Sequence, residues 1–210
     1  MQAWRACLLK PWAKPLVAAF VLSPLAFLVY AALFDERLLG TNPAETLIRD
    51  TGELALRYLC VTLAITPLRV ITATPQLARF RRMLGLVTYT YAVCHVLAYS
   101  WLDMGFELGD IVADIPKRPF ILVGFLAFVL LTPLALTSVN AAIKALGARR
   151  WQLLHKSVYV IAGLAVLHFF WMRAGKQNFG EVSVYAAILA VLLGWRVWRY
   201  VREKRLKGSI

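Results

Sequence analysis

Apolar residues run along this chain in six blocks near the length that crosses a hydrocarbon core. They cover roughly 15–34, 54–71, 83–102, 119–138, 152–172 and 181–200. Blocks of that length predict membrane-spanning helices, because a helix satisfies its backbone hydrogen bonds internally where water is absent. The breaks between them carry charge, Gly or Pro: Asp35 and Glu36 with Gly40–Pro43, Arg79–Arg82, Asp103–Lys117, Gly147–Arg150 and Gly175–Gly180. No gap reaches about 20 residues, so no soluble domain fits between the blocks. The first block is too long for a signal peptide, and no small-residue cleavage site follows it, so it is read as a retained helix. The expected fold is all-α, a single six-helix membrane bundle over residues 1–210.

Composition agrees and charge sets the orientation. Hydrophobic residues make up 60% of the chain, and the mean hydropathy is +0.66. The formal charge of +13 would suit a nucleic-acid binder, but its distribution does not. With the N-terminus in the cytoplasm, the inner segments hold 17 of the 24 lysines and arginines and one acid, Glu203. The outer segments hold the other 7 bases and 10 of the 11 acids. That asymmetry predicts both termini inside and a membrane-lipid partner, with no nucleic acid. Trp151 and Trp171 at the ends of the fifth block, Trp101, Trp195 and Trp198 read as interface anchors. Cys7, Cys60 and Cys94 form no disulfide framework, and Cys94-His95 belongs to no C-x-x-C-H, so any haem is held non-covalently.

All three histidines lie inside apolar blocks. An ionisable side chain there is costly and marks a candidate functional site. His95 and His168 fall in the outer halves of the third and fifth blocks, which run in the same direction. Two neutral imidazoles at one depth suit the axial positions of a single low-spin haem iron. His155 sits near the inner end of the fifth block, 13 residues before His168, or about 20 Å of helix. That is the depth of a second, inner haem. The matching position on the third block, 14 residues before His95, holds Arg81. Fourteen residues fall about 40° short of four turns, so Arg81 shares a face with His95. A permanently protonated guanidinium is a poor iron ligand. Arg81 is expected to pair a haem propionate or to stand beside a weakly ligated iron; an unusual neutral ligand is the further option.

Thirteen residues leave His155 and His168 about 220° apart around an ideal helix. A π-bulge near Gly163 would bring them together, or two haems lie on different sides of the helix. Arg57 reads equally as a snorkelling residue or a partner for an outer propionate. Pro67 and Pro133 are expected to kink their helices, and the acidic outer loop with Asp103, Glu107, Asp110 and Asp114 is a candidate docking surface.

Several runs of sequence resemble one family. Arg81-Arg82-Met83-Leu84-Gly85-Leu86 with Tyr91, His95 and Tyr99 is similar to the third helix of the MsrQ (YedZ) family. Trp151-Gln152-Leu153-Leu154-His155 with Tyr159 and His168-Phe169 is similar to its fifth helix. Thr62–Arg69 and Pro133–Ser138 match its second and fourth. The resemblance implies membership of the wider ferric-reductase and NADPH-oxidase transmembrane superfamily. It also implies a haem-binding subunit in the bacterial inner membrane, with one or two haem b and possible association with FMN. Residues carried over are His95, His168 and His155 as iron ligands and Arg81 at the cofactor. The implied donor is the quinone pool or a cytosolic flavin reductase. The implied acceptor is a periplasmic molybdopterin subunit that reduces methionine sulfoxide in oxidised proteins. Superfamily relatives have four histidines where this chain has three. Rival readings are a ferric or cupric reductase acting on external metal, a histidine-relay proton transporter, and a structural membrane anchor.

Overall fold

The computed structural model describes residues 3–207 except Lys176 and Asn178, so Lys176, one of the outer bases, lies outside the described residues. The described residues form ten α-helices: α1 (Ala3–Cys7), α2 (Ala13–Phe34), α3 (Pro43–Ile71), α4 (Ala78–Ala98), α5 (Leu108–Lys117), α6 (Pro119–Leu136), α7 (Asn140–Leu146), α8 (Ala148–His155), α9 (Val158–Ala174) and α10 (Gly180–Lys207). No strand occurs among the described residues. Six segments are long and apolar enough to cross a membrane, with α8 and α9 together forming the fifth. The chain is a multi-pass membrane protein. Its outer surface is apolar, as at Phe20, 78% exposed.

Three local features differ from the sequence expectation. α3 begins at Pro43, well before residue 54, and carries Glu45, Arg49, Asp50 and Glu53 as helix. Asn42 caps it: its side-chain oxygen accepts from the Glu45 N–H at 3.2 Å, and its amide donates back to the Glu45 carboxylate at 3.3 Å. The expected outer loop is largely helix as well. Leu108, Ile111, Val112 and Ile115 recur at helical spacing and make α5 amphipathic. Finally, the fifth span breaks at Lys156–Ser157 and not at Gly163, with α8 ending one residue earlier, at His155. A π turn does occur, but over Tyr99–Asp103, where it extends α4 one turn beyond His95.

Two prolines interrupt main-chain ladders whose freed groups are taken up elsewhere. Pro67 has no N–H for the Leu63 carbonyl, and the Arg196 guanidinium reaches from α10 to donate to that oxygen at 2.5 Å. Pro24 likewise frees the Phe20 carbonyl, which accepts from the Ser23 hydroxyl at 2.8 Å. One residue on, the buried Tyr91 hydroxyl enters the α2 ladder, donating to the Val21 carbonyl at 2.9 Å and accepting from the Leu25 N–H at 3.1 Å. Tyr91 thus pins α2 to α4.

Packing is densest within two antiparallel hairpins, α3 with α4 and α6 with α9. Leu59, Leu63, Leu131, Leu134, Ile161 and Ala162 join the hairpins in one apolar core, to which α10 adds Val182 and Leu189. At the end that carries His95 and His168 the two hairpins stand apart and enclose a cavity.

Candidate cofactor site

The cavity measures about 450 Å³, within the range of roughly 300–1,000 Å³ found for ligand and cofactor sites. His95 from α4 and His168 from α9 both line it. Their ring centroids are 6.1 Å apart, with the ring planes at 75°.

The two rings are held in the same way. His95 Nδ1 lies 2.8 Å from the Ile48 carbonyl on α3. His168 Nδ1 lies 2.6 Å from the Phe120 carbonyl on α6. A carbonyl only accepts, so Nδ1 carries the proton in each ring and Nε2 keeps its lone pair. Metal-binding imidazoles are commonly fixed by this kind of outer hydrogen bond. Four residues beyond each carbonyl stands a glycine, Gly52 and Gly124. A Cβ at Gly52 would lie 2.9 Å from His95 Nδ1, and one at Gly124 would lie 2.7 Å from His168 Nδ1. Residue i+4 of a helix stands over the carbonyl of residue i. Removing its side chain opens that oxygen to a ring from the neighbouring helix.

This donor set fits a bis-imidazole metal centre. Two imidazole nitrogens about 2 Å from one metal, with each ring centre about 1 Å further back, place the centroids roughly 6 Å apart. The remaining lining is mostly apolar, including Leu56, Leu59, Ala92, Phe128, Leu131 and Phe169, as a porphyrin's faces require. Charge gathers at one rim, where Arg49, Glu53, Asp103, Arg118 and Arg173 face the cavity. The Asp114 carboxylate accepts from the Tyr99 hydroxyl at 2.6 Å and from Arg118 Nε at 2.8 Å. These bonds fasten α5 to α4 and to the start of α6. Arg118 holds Asp114 below the usual carboxylate range, with the Tyr99 hydroxyl adding to the effect.

The inner candidates lie elsewhere. Neither His155 nor Arg81 lines this cavity. His155 Nδ1 lies 3.0 Å from the Trp151 carbonyl in its own helix, and the Trp151 ring stacks on it at 3.8 Å between centroids. The ring also faces the Leu134 backbone, and its Nε2 is buried with no hydrogen bond of good geometry among the described residues. Arg81 is exposed, within electrostatic reach of His155. Trp151 packs inward, donating to the Thr137 carbonyl at 2.9 Å, so it is more than an interface anchor. Arg57 donates to the Tyr185 hydroxyl at 2.7 Å and to Glu53 at 3.0 Å, off the main cavity.

Sequence reasoning missed Gly52, Gly124 and the rim residues Glu53, Arg118 and Arg173. The glycines left one signal: an isolated glycine inside a helix usually has a packing reason.

Residues 51–166 match the model of the ferric-reductase-like transmembrane component, a span that includes Gly52, His95, Gly124 and His155. The protein-methionine-sulfoxide reductase heme-binding subunit MsrQ of Polaromonas naphthalenivorans is 65% identical over 100% of this chain and 96% of that protein. The corresponding subunits of Ralstonia nicotianae and Herminiimonas arsenicoxydans are 49% and 46% identical over 92% and 93% of the chain, covering 90% and 88% of their own lengths. No solved structure matches the chain. With a six-span bundle, a ferric-reductase-like segment and relatives of this identity over most of their lengths, the chain belongs to the MsrQ family.

Proposed function

We propose that this protein is the haem-binding membrane subunit of a protein-methionine-sulfoxide reductase system, carrying electrons across the bacterial inner membrane to a periplasmic partner. One observation carries the reading. His95 and His168 share a cavity at the centroid spacing of paired axial ligands, each with Nδ1 tied to a main-chain carbonyl. The names of the relatives, which are heme-binding subunits, support the same cofactor. When bound, haem b supplies a one-electron iron couple. His95 and His168 would hold its iron, and the apolar walls would exclude water. His155, with Arg81 beside it, would hold a second group on the inner side. That side faces the donor, either the quinone pool or a cytosolic flavin reductase, with FMN as an associated group. The acceptor is a soluble molybdenum-cofactor reductase subunit outside the membrane, so substrate chemistry is done on the partner. The charge asymmetry of the chain supports cytoplasmic termini.

The test is a haem-to-protein ratio with a redox titration of the purified chain. At least one six-coordinate low-spin haem per chain is expected, lost from the outer site in His168→Ala. Pigment-free protein from haem-sufficient cells, or a full low-spin signal in His168→Ala, refutes the reading. The ferric-reductase-like match favours external metal as a second reading of the acceptor. Oxidation of the reduced chain by Fe(III) chelates and not by a periplasmic protein would establish it.

A further inference from the structure

We propose that Arg173 is the anchor for a carboxylate of the group held in the cavity, which on the haem reading above is a porphyrin propionate. Arg173 follows His168 by five residues on α9, about 7.5 Å towards the outer end. It lines the same cavity and is 8% exposed. Its Nε–H is buried with no hydrogen-bond partner among the described residues. Its Nη2 lies 2.6 Å from the Glu181 carboxylate and 3.3 Å from Glu53, and the guanidinium stacks over the Phe169 ring at 5.4 Å.

A guanidinium stays charged in a dry site and presents its donors as a planar fork that matches a carboxylate. An unmatched donor on a buried cation is costly unless a ligand takes it. The other rim arginines are spent or wet. Arg118 commits both Nε and Nη2 to Asp114, and its side chain is 37% exposed. Arg49 is 41% exposed and paired with Asp50. The Glu181 side chain is 51% exposed at the first turn of α10, so it can turn outward and release Nη2. Glu53 cannot follow: it is 11% exposed, is also held by Arg57, and adjoins Gly52, the glycine beneath His95. The Arg173–Glu53 pair therefore links the two histidine hairpins at the mouth of the cavity and keeps the guanidinium there.

The experiment compares haem b with its propionate dimethyl ester, loaded into the full-length chain in detergent. The readouts are the low-spin spectrum and the rate of loss to a haem scavenger. The unmodified chain is expected to hold haem b about 10- to 100-fold more tightly than the ester, the range of one charge-assisted contact. Arg173→Gln should bring that ratio to within about threefold while the bis-imidazole spectrum persists. Arg173→Lys keeps the charge for Glu53 and so protects the fold, and should leave an intermediate ratio. Arg57→Gln should keep the full ratio. A full ratio in Arg173→Gln and Arg173→Lys, or a collapse in Arg118→Gln, overturns the assignment to Arg173 and leaves the haem reading standing. Failure of the unmodified chain to bind either porphyrin overturns both.

Discussion

Gly124 bears most directly on the geometry of the site. A Cβ there would lie 2.7 Å from His168 Nδ1, 2.8 Å from Cε1 and 3.1 Å from Cγ. Ordinary contacts between carbons are about 3.5–4.0 Å, so in Gly124→Ala the imidazole must retreat by roughly 0.7 Å. The retreat carries it away from the Phe120 carbonyl, now at 2.6 Å, and towards the limit of about 3.2 Å for a good N–H···O bond. Overpacking of this kind costs about 1–3 kcal/mol. Weakening the hydrogen bond adds about 1 kcal/mol. Alanine returns about 1 kcal/mol through its higher helix propensity. Global stability should therefore change modestly, while the ligand is displaced. Loss of an outer hydrogen bond to a metal-bound imidazole costs about 10- to 100-fold in affinity.

The assay is haem occupancy and the low-spin optical and EPR spectrum across a haem titration, measured beside thermal unfolding of the unloaded chain. Gly52→Ala, whose Cβ would lie 2.9 Å from His95 Nδ1, should act in the same direction with a smaller effect. Gly163→Ala is the control, because a Cβ there meets nothing within 4 Å. It should leave haem binding untouched. Wild-type affinity and spectrum in Gly124→Ala would show that the ring position in the cavity is not the one that binds.

Two further outcomes concern the rim of the cavity and the surroundings of His155. Arg118 holds the Asp114 carboxylate below its usual range, so the link between α5 and α6 is complete above about pH 4 and weakens only as pH falls through the lower folded value; hydrogen exchange of α5 amides should stay flat from neutral pH to about pH 5, and loss of protection at pH 6 would contradict this assignment. Arg81→Ala should shift the potential or occupancy of an inner cofactor near His155 and leave the signal of the His95–His168 pair unchanged, as followed by redox titration; an altered outer signal alone would place Arg81 elsewhere in the mechanism.

The six spans were legible because uninterrupted apolar length is a local property of the sequence. The depth match of His95 and His168 followed from counting residues along two parallel helices. The carbonyls that fix the imidazoles were not legible, because Ile48 and Phe120 act through main-chain atoms common to every residue. Gly52 was hidden further: its neighbours Arg49, Asp50 and Glu53 made the segment read as a connection, and the Asn42 cap that makes it helix went unrecognised. α5 reads as loop from sequence because the four acids of its segment, two of them within the helix, outweigh the spacing of Leu108, Ile111, Val112 and Ile115. Gly163 offers the sequence one place for a distortion of the fifth span, yet it continues the helix and the chain turns at Lys156–Ser157.

The arrangement of the hairpins makes the bound group a structural element as well as a redox one. Each histidine is braced within its own hairpin, His95 by α3 and His168 by α6, so ligand geometry is set before the hairpins meet. Between hairpins, the inner halves share an apolar core, whereas the outer halves face each other mainly across the cavity and the Arg173–Glu53 pair. A group ligated from both sides would close that gap. A ligand that binds only the folded state stabilises it by RT ln(1 + [L]/Kd), about 2.7 kcal/mol at a hundredfold excess over Kd. For a chain of 210 residues, that corresponds to a rise of about 5–10 °C in Tm. Loading with haem b should produce this rise in the unmodified chain and about half of it or less in His168→Ala, where one hairpin has lost its ligand. The measurement is thermal unfolding in detergent at matched haem concentration. An equal rise in both proteins would mean that the stabilising contact does not run through His168, and that the two hairpins are not joined at the iron.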